Sequence, residues 1–119
     1  MSCLFCDCDS IIESALLYVR SDKFPVSGGH CLVIPKRHVE TWFDMSKEEQ
    51  TEALELIDQV KAMLDEKYSP DGYNIGMNCG ESAGQTVPHA HIHVIPRYNG
   101  DMENPRGGVR GVIPEKQSY

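Results

Sequence analysis

The sequence predicts an α+β domain in which one long helix packs on an antiparallel sheet. The helix is predicted by Ser46 and Glu49, which form a capping box, and by apolar residues at helical spacing as far as Tyr68. The sheet is predicted by four strand-like apolar runs, two before the helix and two after it, over residues 15–20, 31–34, 73–78 and 89–95.

Turn signals separate these elements. Pro25 to Gly29 predicts a turn that joins the first two strands as a hairpin. The stretch Ser69-Pro70-Asp71-Gly72 predicts that the helix ends near Tyr68. Residues 99–119 are rich in Asn, Gly and Asp at their start and predict an irregular tail, in which residues 109–114 could form a short edge strand.

Composition limits the class of protein. The 119 residues predict a single domain over residues 1–119, and their net charge of −7 argues against a general nucleic-acid or membrane surface. No apolar run approaches the ~20 residues of a membrane span, and the N-terminus lacks the plan of a signal peptide. Because an odd number of cysteines, five here, also favours reduced thiols, we expect a cytoplasmic protein.

Three of the five histidines, His89, His91 and His93, alternate with apolar residues. On a strand they would share one face, whereas Ala90, Ile92 and Val94 would enter the core. A purely structural role is disfavoured, because three buried imidazoles on one face would each need a hydrogen-bond partner. Three other roles stay open. All three could bind one metal ion, or two histidines of the chain could complete a closed metal site with Cys3 and Cys6 and leave part of the run free for chemistry, or one histidine could act as a nucleophile.

The loop before this run favours phosphate chemistry. Residues 80–88 are rich in glycine and in hydroxyl and amide groups and lead directly into the histidines. Backbone N–H groups and the Thr86 hydroxyl could therefore bind an anion beside His91.

The segment His89-Ala90-His91-Ile92-His93-Val94-Ile95 resembles the His-φ-His-φ-His-φ-φ signature of the histidine triad (HIT) superfamily, where φ is apolar. The resemblance extends over nearly the whole chain and is closest to the fragile-histidine-triad branch and its microbial relatives. It implies a HIT-like fold, with an antiparallel sheet of about five strands, one long central helix and a short one.

The resemblance also implies a nucleotide hydrolase or transferase that acts at the α-phosphorus. His91 matches the nucleophile, which forms a covalent nucleotidyl-histidine, and His93 matches the residue that contacts the phosphate and assists the leaving group. The expected substrate is a dinucleoside polyphosphate such as diadenosine tri- or tetraphosphate. The alternatives are a nucleoside phosphoramidate or adenylyl sulfate, phosphorolysis, a nucleotide-binding module with little turnover, and a hydrolase that uses the triad as zinc ligands.

Further site residues follow from the same resemblance. Asp22 matches a position that holds the ribose hydroxyls, and His30 matches a histidine that supports the triad from behind. Apart from the resemblance, the glycine-rich context of Arg106 and Arg110 makes them candidates for contact with the outer phosphates, or solvated loop residues. The remaining expected substrate-binding residues are Asn78, Gly84, Gln85, Thr86 and Val87.

Some HIT proteins hold a structural zinc ion, and the resemblance implies the same here. The ligands would be Cys3, Cys6, His38 and His89, with Cys8 as a possible substitute. This ion would fasten the N-terminus to the triad and would not be required for the chemistry. The resemblance also implies a homodimer that pairs through the central helix and an edge strand.

Overall fold

The computed structural model describes residues 3–6 and 10–119, so Cys8 lies outside the described residues. Within these ranges the chain forms five strands and one α-helix. The strands form one antiparallel sheet in the order β1-β2-β3-β5-β4. The bounds are β1 Ile12–Glu13, β2 Leu17–Ser21, β3 Cys31–Pro35, α1 Lys47–Tyr68, β4 Gly72–Gly76 and β5 Ile92–Arg97. The predicted α+β class and the five-stranded sheet are confirmed.

Helix α1 begins and ends where the sequence predicts. The Glu49 N–H donates to Ser46 Oγ at 3.1 Å, and the Ser46 N–H donates to Glu49 Oε1 at 2.7 Å. At the other end, Ser69 adopts a left-handed conformation with φ of 50° and donates its N–H to the Asp65 carbonyl. A shorter 3-10 helix, Trp42–Asp44, precedes α1.

The sheet differs from the prediction mainly at the histidines. Strands β2 and β3 form the predicted hairpin, and the short strand β1 was not predicted. The run predicted as a strand over residues 89–95 is a strand only from Ile92, and it continues to Arg97. The ladder of hydrogen bonds does not extend back to His89. The Ala90 N–H donates instead to the Val39 carbonyl, and the His89 carbonyl accepts from the His91 ring at 2.8 Å.

The two faces of the sheet carry separate apolar clusters. The helix side holds the larger one, which Ala90, Ile92 and Val94 enter as predicted. The opposite face carries a smaller cluster of Phe5, Tyr18, Leu32 and Ile34, with Cys3 and Val87 packed against it. Residues 3–6 therefore lie on the face of the sheet that α1 does not cover.

The tail beyond β5 forms two 3-10 helices, Gly108–Val112 and Pro114–Lys116, in place of an edge strand. Its close packing needs glycine, because a Cβ on Gly107, at φ of 88°, would lie 1.8 Å from the Gln117 carbonyl oxygen. In the part of the chain that the structure describes, no helix has the length and apolarity to cross a membrane.

Candidate active site

A row of side chains crosses the open face of the sheet and leads to the triad. Antiparallel pairing aligns Arg20 with Leu32, and Leu32 with His93. Beside this row is a cleft of about 360 Å³. Its lining includes eight residues predicted from the sequence: Asp22, His30, Asn78, Gly84, Thr86, Val87, His91 and His93.

The half-buried imidazole of His91 is held with one nitrogen protonated. Its Nδ1 lies 2.8 Å from the carbonyl oxygen of His89, an acceptor, so the proton must be on Nδ1. In the neutral ring the lone pair is then on Nε2. The ring is packed edge-on by Phe5, whose centroid is 4.9 Å away, and by His93, at 5.2 Å. In this geometry Nε2 could act as a nucleophile.

His93 is held in the opposite tautomer by a chain of hydrogen bonds. The Val26 N–H donates to His30 Nδ1 at 3.0 Å, so the proton of neutral His30 is on Nε2. His30 Nε2 lies 2.9 Å from His93 Nδ1, which therefore accepts. His93 keeps its own proton on Nε2, where it can donate to a substrate.

His30 and His93, the two histidines of this hydrogen-bond chain, resist protonation. Burial lowers the pKa of His93 to about 4, with further lowering from His91 and His30, against the opposing effect of Asp22. Burial also lowers the pKa of His30, although Asp22 acts to raise it. Near neutral pH these rings are therefore neutral, as the hydrogen-bond chain requires.

Asp22, His30 and His93 also form a group whose ligand atoms could surround a metal ion. Asp22 Oδ2 lies 3.3 Å from His30 Nε2 and 3.7 Å from His93 Nδ1. The hydrogen bond from Val26 occupies the lone pair of His30 Nδ1, so Nε2 carries the proton and has no lone pair for a metal. This group is better described as a hydrogen-bonded cluster than as a metal site.

The glycine-rich loop is fixed by the side chain of Gln85. Its Oε1 accepts from the Gly80 N–H at 2.8 Å, and its Nε2 donates to the carbonyls of Glu40, at 2.6 Å, and Val87, at 3.1 Å. Gln85 lines a separate recess, whereas Thr86 lines both this recess and the cleft. The side chain of Gln85 thus shapes the loop, and Thr86 and Gly84 line the cleft.

The four predicted metal ligands converge. His89 Nδ1 lies 3.4 Å from each of Cys3 Sγ and Cys6 Sγ and 3.2 Å from His38 Nδ1, and Cys6 Sγ lies 3.2 Å from His38 Nδ1. Tetrahedral zinc bonds would place such ligand atoms about 3.3–3.8 Å apart. The Nε2–H of His89 donates to the Pro35 carbonyl at 2.7 Å, which leaves Nδ1 as the free ligand nitrogen. The donor set fits zinc.

Comparison with known proteins identifies the family of this chain. The HIT domain family model matches residues 6–100. The chain belongs to the HIT family.

Relatives within the family carry names from nucleotide chemistry. The chain is 42% identical over 80 residues to bis(5'-adenosyl)-triphosphatase of Dictyostelium discoideum, which covers 67% of this chain but only 54% of that protein. It is 37% identical over 106 residues to adenosine 5'-monophosphoramidase hnt1 of Schizosaccharomyces pombe, covering 83% of this chain and 77% of the relative. A Zn-bound histidine triad family protein from Mycobacterium smegmatis superimposes with a TM-score of 0.78 at 35% identity, covering 87% of this chain and 80% of that one.

Sequence reasoning missed part of the cleft of this HIT protein. Alternation along β2 could have identified Arg20, because it places this residue on the same face as buried Tyr18. Phe24 and Val26 lie in the hairpin connection, where no periodic pattern indicates direction. The cleft-lining residues that were not predicted are Leu4, Phe5, Arg20, Lys23, Phe24, Val26 and Leu32.

The two tail arginines contact an aromatic ring. The guanidinium carbons of Arg106 and Arg110 each lie 4.8 Å from the ring centroid of Tyr119. The cleft lining, as far as the structure describes it, includes neither of them. Their positions thus favour a role in packing the tail.

Proposed function

We propose that this HIT protein cleaves nucleotides at the α-phosphorus through a covalent intermediate on His91. The observation that carries the proposal is the pair of neighbouring imidazoles in opposite tautomers. His91 offers a lone pair on Nε2, and His93 offers a proton on Nε2. A phosphoryl group between them would meet a nucleophile and a hydrogen-bond donor at once.

In the first step the Nε2 lone pair of His91 forms a bond to the α-phosphorus. The bond from phosphorus to the bridging oxygen breaks, and its electron pair leaves with that oxygen, to which His93 Nε2–H donates. Thr86 and the backbone N–H groups of its loop stabilise the phosphate charge. Because His91 keeps its Nδ1 proton, the product is a cationic nucleotidyl-imidazolium, which makes the new N–P bond labile.

In the second step a water molecule attacks the same phosphorus. The N–P bond breaks, its electron pair returns to Nε2, and one water proton passes to solvent. Neutral His91 is restored, and the nucleoside monophosphate is released.

A dinucleoside polyphosphate is the substrate that this cleft suits best. Neutral His93 donates a hydrogen bond without supplying a proton, which suits a leaving group that departs as a phosphate anion. A second, largely apolar recess of about 510 Å³ shares Asn78 and His93 with the cleft and offers space for the departing half. Asp22, which lines the cleft beside His30 and His93, would bind the ribose hydroxyls.

A phosphoramidate substrate is the second candidate, because a relative with that activity in its name shares 37% identity over 106 residues. Adenylyl sulfate hydrolysis and phosphorolysis use the same histidine step. A binding module with little turnover would have the same cleft but would accumulate no product.

The deciding experiment offers the protein diadenosine triphosphate, diadenosine tetraphosphate and an adenosine phosphoramidate, and follows AMP release and the intact mass of acid-quenched protein. We expect AMP release and a transient adduct of one nucleotidyl group. His91→Ala should lose both, with a rate at least roughly 10³-fold lower. Phe43→Ala, at an exposed position outside the cleft, is the control. AMP release that survives His91→Ala would contradict the proposal.

A zinc ion bound by Cys3, Cys6, His38 and His89 would be a closed structural centre. The ion would neutralise the thiolates and join the N-terminal turn to the start of the triad. The steps above do not pass through it.

We further propose a cytoplasmic homodimer that pairs through α1 and β4. Strand β4 is the last strand of the sheet order, and Ile75 on it is 45% exposed. Leu54 on α1 is 59% exposed. Sedimentation should give twice the mass of one chain, and Leu54→Glu should shift the species to monomer; a wild-type monomer at all concentrations would contradict the dimer.

A further inference from the structure

The turn that carries the two cysteine ligands is also part of the cleft. The Cys6 N–H donates to the Cys3 carbonyl at 3.1 Å, which closes the turn around Leu4 and Phe5. The Phe5 carbonyl accepts the buried Tyr18 hydroxyl. The Phe5 ring is only 6% exposed and joins the cluster on the open face of the sheet. The cysteines therefore bracket a residue that is packed inside the active site.

Phe5 packs directly on the proposed nucleophile. Its ring centroid lies 4.9 Å from that of His91, with an interplanar angle of 68°, and 6.2 Å from that of His89. This edge contact restricts rotation of the His91 ring about its side-chain bonds. A displacement of the turn would remove it.

His89 provides a second connection between the metal ligands and the nucleophile. Its Nδ1 belongs to the ligand group, and its backbone carbonyl accepts the Nδ1–H of His91 at 2.8 Å. Both the packing contact and the hydrogen bond that hold His91 thus come from residues tied to the metal site.

We infer that occupancy of the Cys3–Cys6–His38–His89 site positions the His91 imidazole, so that the bound ion governs nucleophile orientation without contacting substrate. The inference rests on the proposed role of His91. Phe5 is the positioning residue, and His89 is both ligand and hydrogen-bond acceptor. Removal of the ion should therefore slow catalysis in protein that is still folded, whereas a purely structural ion would leave the rate unchanged until unfolding.

The test compares zinc-loaded and chelator-stripped protein at a temperature where circular dichroism shows both folded. The first readout is the ¹⁵N chemical shifts of the His91 ring at constant pH, assigned with His91→Gln. The second is the single-turnover rate of adduct formation at saturating nucleotide. We expect a pure Nδ1–H tautomer in the loaded protein. Stripping should average the tautomers and slow adduct formation at least tenfold, since misplacement by about 1 Å costs on the order of 100-fold. Added zinc should restore both.

Variants separate positioning from stability. Phe5→Ala, with its full metal content verified, should average the tautomers and slow adduct formation, and Phe5→Leu, which keeps most of the buried volume, should recover most of the rate. Val60→Ala is the matched control, because Val60 lies in the helix-side core and should lower stability without changing the His91 signals. If stripping unfolds the protein at every temperature, the tautomer signal and adduct rate of metal-loaded Phe5→Ala decide whether the turn positions His91.

An unchanged tautomer signal and rate in stripped, folded protein, or in Phe5→Ala, would overturn the inference while leaving the covalent mechanism intact. Failure of loaded wild-type protein to form any adduct would instead overturn the proposed function. In that case the ring signals alone still decide whether the ion positions His91.

Discussion

The two histidines at the centre of the cleft show how the backbone gives identical side chains different properties. His91 donates to a peptide carbonyl, and His93 accepts from His30, which itself accepts from a peptide N–H. The alternating pattern in the sequence predicted that these rings come together. It could not predict the tautomers, because the groups that set them lie in the hairpin connection and in the turn before β5.

The neutral histidines should make the free energy of unfolding fall as the pH is lowered. Folding depresses the pKa of His93 to about 4 and lowers that of His30, while both have ordinary values near 6.5 in the unfolded chain. The unfolded state therefore binds more protons below about pH 6.5, and stability falls as the pH drops towards 4. We expect a loss of at most about 1.4 kcal/mol per pH unit for each histidine.

Urea unfolding from pH 7 to pH 4 measures this dependence. His93→Gln, which cannot titrate, should give a shallower slope over the same range. Equal slopes for the wild type and His93→Gln would show that His93 is not protected from protons by folding.

Gln85 should influence substrate binding without touching substrate. Its amide makes three hydrogen bonds that hold the loop, at 2.6, 2.8 and 3.1 Å. Gln85→Ala should cost about 1–3 kcal/mol of stability and weaken AMP binding, because the loop donors lose their common orientation. Calorimetric titration with AMP measures the affinity, and Thr86→Val provides a comparison that removes one hydroxyl but keeps the loop fixed. Unchanged AMP affinity in Gln85→Ala would show that the loop holds its shape alone.

Among the elements, α1 was predicted almost to the residue because its signals are local. Capping, periodicity and the stop at Ser69 all lie within the helix or one residue beyond its ends. The start of β5 was wrong by three residues because alternation of side chains does not require a ladder of hydrogen bonds. Residues 89–91 alternate as a strand does, yet their backbone makes no ladder. The Ala90 N–H donates to the Val39 carbonyl, and the His89 carbonyl accepts from the His91 side chain.

The N-terminus of α1 also fixes the segment that carries His38. The carboxylate of Glu49, 3% exposed, accepts from Arg37 Nη2 at 2.7 Å as well as from the Ser46 N–H. The Arg37 guanidinium holds the pKa of Glu49 below its usual range, opposed by burial. Glu49→Ala should therefore cost about 1–3 kcal/mol of stability and also weaken zinc binding, because Arg37 adjoins the proposed ligand His38.

Thermal denaturation and a competitive zinc titration test this link. Glu48→Ala, exposed in the same first turn, should cost no more than about 0.5 kcal/mol. If Glu49→Ala binds zinc as tightly as wild type, the helix does not position His38.

At the scale of the molecule, the proposed metal site would join segments that are far apart in sequence. Its ligands come from residues 3–6, from residue 38 and from residue 89. Binding of an ion to the folded state alone should raise the melting temperature, by about 10 °C for a domain of this size at saturating zinc. Differential scanning fluorimetry with and without a chelator measures this shift, and Cys3→Ser should abolish it. An identical melting temperature in both conditions would contradict a structural zinc centre.

The whole cleft could be predicted only in part, because it is assembled across the sheet. The triad and its loop are contiguous in sequence and carry a recognisable pattern. Arg20, Phe24 and Val26 reach the cleft through the register of β2 and β3 and through the path of their connection. Such proximity depends on the completed sheet rather than on any local signal.

The hydrogen bond from the Val26 amide to His30 restricts proton transfer in the cleft. A peptide hydrogen does not leave its nitrogen, so the sequence Val26 N–H, His30, His93 can polarise in one direction only and cannot relay a proton inward. In the proposed second step, the proton lost by the attacking water would therefore leave on the open side of the cleft. The hydrogen-bonded chain itself would then carry no proton into the protein interior.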